Sequence, residues 1–136
     1  MFTKIHIFRL KPDQKLFEGT LDFCQKKRII SGVIISLLGS LKNVELGFLK
    51  KLPGKYITRK IKGPLEIVFG TGTIAQMDEK TLLHIHLEIS DERKAIGGHL
   101  VEGTIFSTAE VIIGELGEQL NRQKDNFTGL NELKDR

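Results

Sequence analysis

The chain has 136 residues, of which 40% are hydrophobic and 28% are charged. This composition indicates one globular domain with a modest core, so we expect an oligomer that buries additional surface. No apolar run approaches the roughly 18 residues of a membrane span, and the start MFTKIHIFRL lacks the features of a signal peptide. We therefore expect a cytoplasmic protein. Cys24 is the single cysteine, which excludes an intrachain disulfide, and we expect it to be buried as a small hydrophobic residue.

The charge balance is mildly basic, with 21 basic and 17 acidic residues and a formal net charge of +4. Such a field attracts polyanions, although solubility alone would also explain it. Lys26, Lys27 and Arg28 follow a helical pattern and suit its negatively polarised end. A second cluster is the better candidate for contact with nucleic acid, but a solvated strand edge is the favoured interpretation. It comprises Lys50, Lys51, Lys55, Arg59, Lys60 and Lys62.

The first third of the chain predicts a strand, a helix and a second strand. Lys4 to Leu10 alternates weakly like a strand, and Asp13 is the expected N-cap of a helix that continues to about Arg28. Gly32 then opens a continuous apolar strand that we expect to end at Gly39 and Ser40. The segment 44–52 reads as its neighbouring strand.

The remainder predicts further strands separated by turns. Pro53-Gly54 is a turn, and Gly63-Pro64 introduces a strand over 65–75. Two more strands follow at 81–90 and 105–116. One helix, six or seven strands and no regular β-α alternation indicate an α+β fold with a mostly antiparallel sheet. The polar segment beyond Gly117 is expected to pack on the domain through Phe127 and Leu130.

A glycine-rich segment imitates a dinucleotide-binding loop. Gly70-Thr-Gly-Thr-Ile-Ala75 follows a strand, but the next residues form a turn before another strand, so no helix N-terminus is present to hold a pyrophosphate. We expect these glycines to mark a bulge or close packing instead.

The segment Leu82–Leu100 holds three of the four histidines. In a strand over 81–90, His84, His86 and Glu88 share one face, with neighbouring side chains roughly 6 to 7 Å apart. A chain returning through Gly97 and Gly98 brings His99 towards them. Three histidines suit zinc, iron or nickel, with zinc expected. Spacing alone gives equal weight to two exposed histidines on a polar face and one in a turn.

Other polar residues receive weaker assignments. Glu88 is a candidate fourth ligand, orienting partner or general base, although an ordinary surface carboxylate is favoured. His6 is expected to be exposed or at the edge of the core, and would join the site only if the first strand passed beside it. No nucleophilic catalysis is assigned to Ser36 or Ser107.

Five segments, in this order and spacing, resemble the PPC (plants and prokaryotes conserved) domain in its stand-alone prokaryotic form. The resemblance runs from about Ile5 to Leu116 and predicts a domain over 1–117 with a tail over 118–136. The segments are RLKP (9–12), SLLGSL (36–41), GPLEIVFGTGTI (63–74), HIHLEISD (84–91) and GGHLVEGT (97–104).

The resemblance implies an antiparallel sheet with flanking helices, assembled as a homotrimer. Prokaryotic members are described as predicted DNA-binding proteins, and they share a histidine cluster that resembles a metal site, here His84, His86 and His99. The chain lacks the Arg-Gly-Arg-Pro hook of the plant relatives and any helix-turn-helix pattern. The family resemblance therefore supports trimerisation better than it supports DNA contact.

Two functions follow as hypotheses. The first is a trimeric, non-catalytic binding module that carries zinc and associates with DNA at most through electrostatics. The second is a metal-dependent, hydrolase-like enzyme or small-ligand binder, in which the metal keeps an open position and Glu88 acts as general base. A purely structural trimer that acts through partner proteins remains a third interpretation.

Overall fold

The structure, a computed structural model, describes residues 1–135. Seven strands and one helix occur in these residues. In chain order they are β1 (Phe2–Leu10), α1 (Leu16–Lys27), β2 (Gly32–Lys51), β3 (Lys55–Met77), β4 (Lys80–Ser90), β5 (Ala95–Leu116), β6 (Arg122–Lys124) and β7 (Asn131–Leu133). The antiparallel α+β architecture is as expected, but the resemblance implied several flanking helices and the described residues contain one. That helix is too short to cross a membrane.

The main sheet has five antiparallel strands in the order β1-β5-β2-β3-β4. Strand β4 also pairs with the beginning of β5, so β5, β2, β3 and β4 form a closed ring. β1 lies outside this ring and pairs with the end of β5. Closure leaves few free strand edges, which limits unwanted pairing with other chains.

Three strands are longer than the sequence pattern predicts. The expected strand end at Gly39-Ser40 and the expected strand start after Gly63-Pro64 are wrong, because β2 and β3 continue through these pairs. Register shifts near Gly39 absorb the irregularity, and an added Cβ there would lie 2.1 Å from the carbonyl oxygen of Thr108. The residues therefore bend a strand without ending it. β5 likewise begins at Ala95, ten residues before the predicted start.

The core consists of the apolar side chains that point into the ring from alternate positions of its strands. On β4 the buried residues are Leu83, Ile85, Leu87 and Ile89, as the alternation predicts. Fully buried partners from the other strands complete this core: Ile34, Leu37, Leu41, Leu46, Ile74, Leu100, Ile105 and Ile113.

The helix begins later than predicted and is capped by a different element. Asp13 is not the N-cap; it has a φ of 70° and pairs with Lys42, and the N-cap is Lys15 without a side-chain cap. The Glu102 carboxylate of β5 accepts hydrogen bonds from the first helical amides, Phe17 N at 2.8 Å and Glu18 N at 3.2 Å. A carboxylate at this end also suits the helix dipole. A residue 85 positions away could not be identified as the cap from local sequence.

The other end of the helix agrees with the prediction. Lys26 and Lys27 lie in the last turn, and Arg28 closes the helix in the left-handed conformation. Cys24 is fully buried, and burial raises the pKa of its thiol to about 12. The thiol therefore serves as packing and stays protonated.

The tail forms a small β6–β7 hairpin that the sequence pattern did not predict. It is attached to β3 and the preceding turn by backbone hydrogen bonds, from Gln76 N to Leu120 O at 2.9 Å and from Gly54 N to Thr128 O at 2.7 Å. Phe127, which we expected to dock, is 79% exposed in this chain. The hairpin thus covers one end of β3 and comes close to the histidine strand.

Candidate metal centre

The three predicted histidines meet within one chain. His84 and His86 lie on the outer face of β4, and His99 lies on β5 directly opposite His86. This pairing depends on closure of the ring. β4 and β5 pair only from His86–His99 to Ser90–Ala95, and the two histidines lie at one end of that ladder. Each histidine offers one ring nitrogen, and these three atoms lie within 4.8 Å of one another.

The rings are close but not stacked. The Nε2 atoms of His84 and His86 are 3.1 Å apart. The ring centroids of His84 and His99 are 5.1 Å apart, and those of His86 and His99 are 5.6 Å apart. Nδ1 of His99 is buried and has no hydrogen-bond partner among residues 1–135. The three histidines therefore bring one ring nitrogen each close together, and one ring nitrogen of His99 has no hydrogen-bond partner among residues 1–135.

Burial and mutual repulsion oppose protonation of these rings. Desolvation, followed by the nearby His99, His86 and Arg122, lowers the pKa of His84 to about 4. Desolvation and His86 also lower the pKa of His99. Both rings are thus neutral near pH 7, and the neutral imidazole is the form that coordinates metals.

Two cavities border the cluster. The smaller, of about 310 Å³, lies on the side of the tail hairpin and is lined by His84, His99, Tyr56 and Arg122, among others. The larger, of about 650 Å³, is wider and includes all three histidines and Glu88. The cluster is therefore accessible to small molecules from two sides.

The remaining acid-base candidates are not part of the cluster. Glu88 is exposed on the same face of β4, and the group of converging ligand atoms does not include it. His6 is buried, and its Nε2 lies 2.8 Å from Oε2 of Glu115, with Phe23 beside the ring. The expectation that His6 stays outside the site is correct, and its partner is a carboxylate at the end of β5.

Close backbone packing positions His84. Gly72 of β3 lies opposite Ile85, and an added Cβ at Gly72 would be 2.3 Å from the carbonyl oxygen of His84. At Gly70, an added Cβ would lie 2.8 Å from side-chain atoms of Leu37 and Leu87. The glycine-rich segment therefore allows close packing, as expected, between β3 and the neighbouring histidine strand β4.

Sequence reasoning missed two residues beside the cluster. The centroid of the Tyr56 ring lies 5.6 Å from that of the His99 ring, although in sequence Tyr56 lies within the basic cluster. Arg122 comes from the tail, and its Nη2 donates to Thr73 Oγ1 at 2.7 Å. Neither residue carries a local signal, since both reach the site through long-range pairing.

The basic cluster lies on the hairpin between β2 and β3. All six cations are exposed, and residues 55–62 of β3 pair only with β2, so they form a free strand edge. The prediction of a strand edge is confirmed, because the cations after Lys51 lie on the regular strand β3.

An antiparallel ring with a surface group of three convergent histidines defines a class of small β-rich domain with a candidate metal centre. Residues 1–117 match the model of the Plants and Prokaryotes Conserved (PCC) domain, the family abbreviated PPC above. The chain therefore belongs to this family, as the sequence motifs predicted. No curated protein matches the chain in sequence.

Solved structures show the same fold. A metal-containing protein from Archaeoglobus fulgidus is 25% identical with a TM-score of 0.90, and the match covers 99% of this chain and 96% of that chain. A PPC protein from Pyrococcus horikoshii is 26% identical with a TM-score of 0.90, covering 100% and 94%. A predicted DNA-binding protein from Bacteroides thetaiotaomicron is 24% identical with a TM-score of 0.91, and the match covers 98% of this chain and 94% of that chain. At 24% identity, this match shows a common fold and nothing about function.

Substitution of Gly72 by alanine should disturb the histidine strand. The new Cβ would meet backbone at His84, and such overpacking costs about 1–3 kcal/mol of unfolding free energy. Denaturant unfolding of Gly72→Ala beside Gly103→Ala measures this difference, because the Cβ at Gly103 has its nearest neighbours at 3.4 Å. Equal stability of the two variants would show that Gly72 is not a close-packing position.

Proposed function

We propose that this chain is a PPC-type binding module whose His84, His86 and His99 hold a zinc ion. The convergence of the three ring nitrogens carries the proposal. In a tetrahedral zinc site, neighbouring ligand nitrogens are about 3.3 Å apart, and the Nε2 atoms of His84 and His86 are 3.1 Å apart. The distance between these two nitrogens is therefore compatible with a shared zinc ion, and the third donor atom lies within 4.8 Å of them.

Two further observations support a metal at this position. Coordination through Nδ1 of His99 would satisfy a buried atom that has no partner among residues 1–135. The structural relative from Archaeoglobus fulgidus is described as metal-containing. The low pKa of His84 and of His99 keeps their rings in the neutral form, which is the form that binds a metal ion.

Three protein ligands leave a zinc ion one exchangeable position, which distinguishes such a site from a closed structural one. Glu88 is exposed and separate from the convergent nitrogens, so it is not placed as a fourth ligand. This favours a module that binds a further small molecule at the cluster.

A second candidate function is a metal-dependent enzyme of hydrolase type. The observation in its favour is that Glu88 lines the same 650 Å³ cavity as the three histidines, where it would act as a general base towards a small substrate. Activity that is lost in Glu88→Gln while the metal content stays unchanged would establish this function.

Metal analysis tests the zinc site. Untagged wild-type protein should contain about one zinc per chain by mass spectrometry, and His86→Ala should lose most of it because two ligands bind zinc weakly. Glu88→Gln, on the same face of the same strand, serves as the control and should keep its metal. Wild-type protein that takes up no zinc, nickel or iron under saturating conditions would contradict the proposal.

We further propose that the chain assembles as a cytoplasmic homotrimer, the state that the family resemblance implies. An apolar outer face supports self-association. Ile7 of β1 is 72% exposed and lies opposite Ile112 of β5. On the other side of β5, Ile112 lies opposite Ser36 of β2, and the residue before Ser36, Ile35, is also exposed. Leu38 is also exposed on β2, in a row that includes Glu110 of β5. Several large exposed apolar side chains on one face commonly mark an interface between subunits.

A charge placed on this face should break the assembly. Ile7→Lys should shift the mass measured by light scattering from three chains to one, because a buried lysine would be unpaired. Ile57→Lys is the matched control, since Ile57 is also an exposed isoleucine but lies on the basic hairpin. Wild-type protein with the mass of a single chain would refute the homotrimer.

The exposed cations of the β2–β3 hairpin are the proposed contact with DNA. Their position on a free strand edge leaves them available to phosphates, and the described residues contain one helix and therefore no helix-turn-helix. The expected interaction is electrostatic and independent of base sequence.

Salt dependence distinguishes this mode of binding. Affinity for duplex DNA should fall steeply as salt rises, with a log-log slope of about −0.9 for each phosphate neutralised. Arg59→Glu with Lys60→Glu should weaken binding and flatten the slope, whereas Lys26→Glu with Lys27→Glu, at the helix end, should have a smaller effect. Binding that does not respond to salt, or an equal response of the two double variants, would count against a contact at the hairpin.

A further inference from the structure

Arg122 is a buried cation that forms no ion pair, although the nearby Glu132 of the same hairpin acts on its charge. The residue is only 7% exposed, although arginine is seldom buried unless it is paired. Its Nη1 donates to the carbonyl oxygen of Asn131 at 2.8 Å and its Nη2 to Thr73 Oγ1 at 2.7 Å, while Nε is buried with no partner. Within residues 1–135, no carboxylate forms an ion pair with this guanidinium.

The guanidinium is held beside the histidine cluster. Thr73, its hydrogen-bond acceptor on β3, lies directly opposite His84 in the β3–β4 ladder. Arg122, His84 and His99 line the same 310 Å³ cavity. The tail hairpin therefore delivers a fixed positive charge to the wall of the space in front of two proposed zinc ligands.

The excess of positive charge around this cavity favours an anionic ligand. When a zinc ion occupies the histidine cluster, its two positive charges and the Arg122 guanidinium border the same cavity. Glu132 is the only carboxylate among the residues that line this cavity. Uncompensated buried charges are costly, so a ligand that brings negative charge to this space is favoured. Arginine presents a planar fork that matches a carboxylate.

We propose that Arg122 and the metal at the histidine cluster together bind the carboxylate group of a short aliphatic acid in this cavity. The proposal rests on the proposed zinc site and names the class of ligand that takes its open position. The rest of the lining includes the apolar side chains of Leu82 and Leu130 beside Tyr56 and Asn131. The volume is at the lower end of the range of about 300–1,000 Å³ for small-molecule sites, which suits an acid of a few carbons.

Calorimetric titration of the zinc-loaded protein with butyrate tests the proposal. Wild-type protein should bind butyrate. Arg122→Gln should bind butyrate at least tenfold more weakly, because glutamine lacks the positive charge and the parallel N–H donors of the guanidinium. Arg93→Gln is the matched control, because Arg93 is exposed in the turn between β4 and β5 and does not line this cavity, and it should bind as the wild type does.

The metal content of every sample separates this proposal from the zinc site. Arg122→Gln should retain zinc, so that a loss of butyrate binding is assigned to the guanidinium. If the wild type takes up no zinc, the proposed function fails on its own measurement. The metal-free protein must then still show a difference in butyrate binding between wild type and Arg122→Gln, or the arginine proposal fails as well.

A comparison within the wild type covers the case in which Arg122→Gln does not fold. Butyramide has nearly the shape of butyrate but no charge, and it should show no binding. Inorganic phosphate should compete weakly, since the apolar side chains of the lining contribute nothing to it. Equal binding of butyrate and butyramide, tighter binding of phosphate, or unchanged butyrate affinity in a folded, zinc-containing Arg122→Gln would overturn the proposal.

Discussion

The pairing of β4 with the beginning of β5 is the constraint on which the site depends. It closes the ring and sets His86 directly opposite His99. Because side chains alternate along a strand, the same register that buries Ile85 and Leu87 also turns His84 and His86 outward. A shift by one residue would expose the core and bury the histidines. The stability of the fold and the geometry of the candidate metal centre are thus specified by one ladder.

Local patterns predicted those parts of the molecule that depend on nearby residues. The alternation of Thr81 to Ser90 is uninterrupted, so the strand and its polar face could be predicted from the local sequence.

Prediction failed where the local structure depends on contacts with residues that are distant in sequence. Gly39 and Gly63 resemble strand ends, but pairing partners on both sides keep the chain extended, and the helix cap comes from Glu102, far along the chain. Arg122 reaches the cluster only because a short tail hairpin folds back onto β3.

The parts of the site have separate structural origins. The histidines come from the ring itself, which belongs to the family domain over 1–117. Arg122 and Glu132 come from the tail, beyond that matched region, and they line the cavity in front of the cluster. Residues of the tail can therefore change without disturbing the ladder that positions the imidazoles, so one scaffold can present different side chains beside the same histidines.

X-ray absorption at the zinc edge tests the central claim most directly, because it reports the ligands of the ion in solution. For zinc-loaded wild-type protein, we expect three imidazole nitrogens at about 2.0 Å and one further light atom. A six-coordinate shell of oxygens, a sulfur ligand from the sole thiol of Cys24, or fewer than three imidazoles would contradict the assignment of His84, His86 and His99.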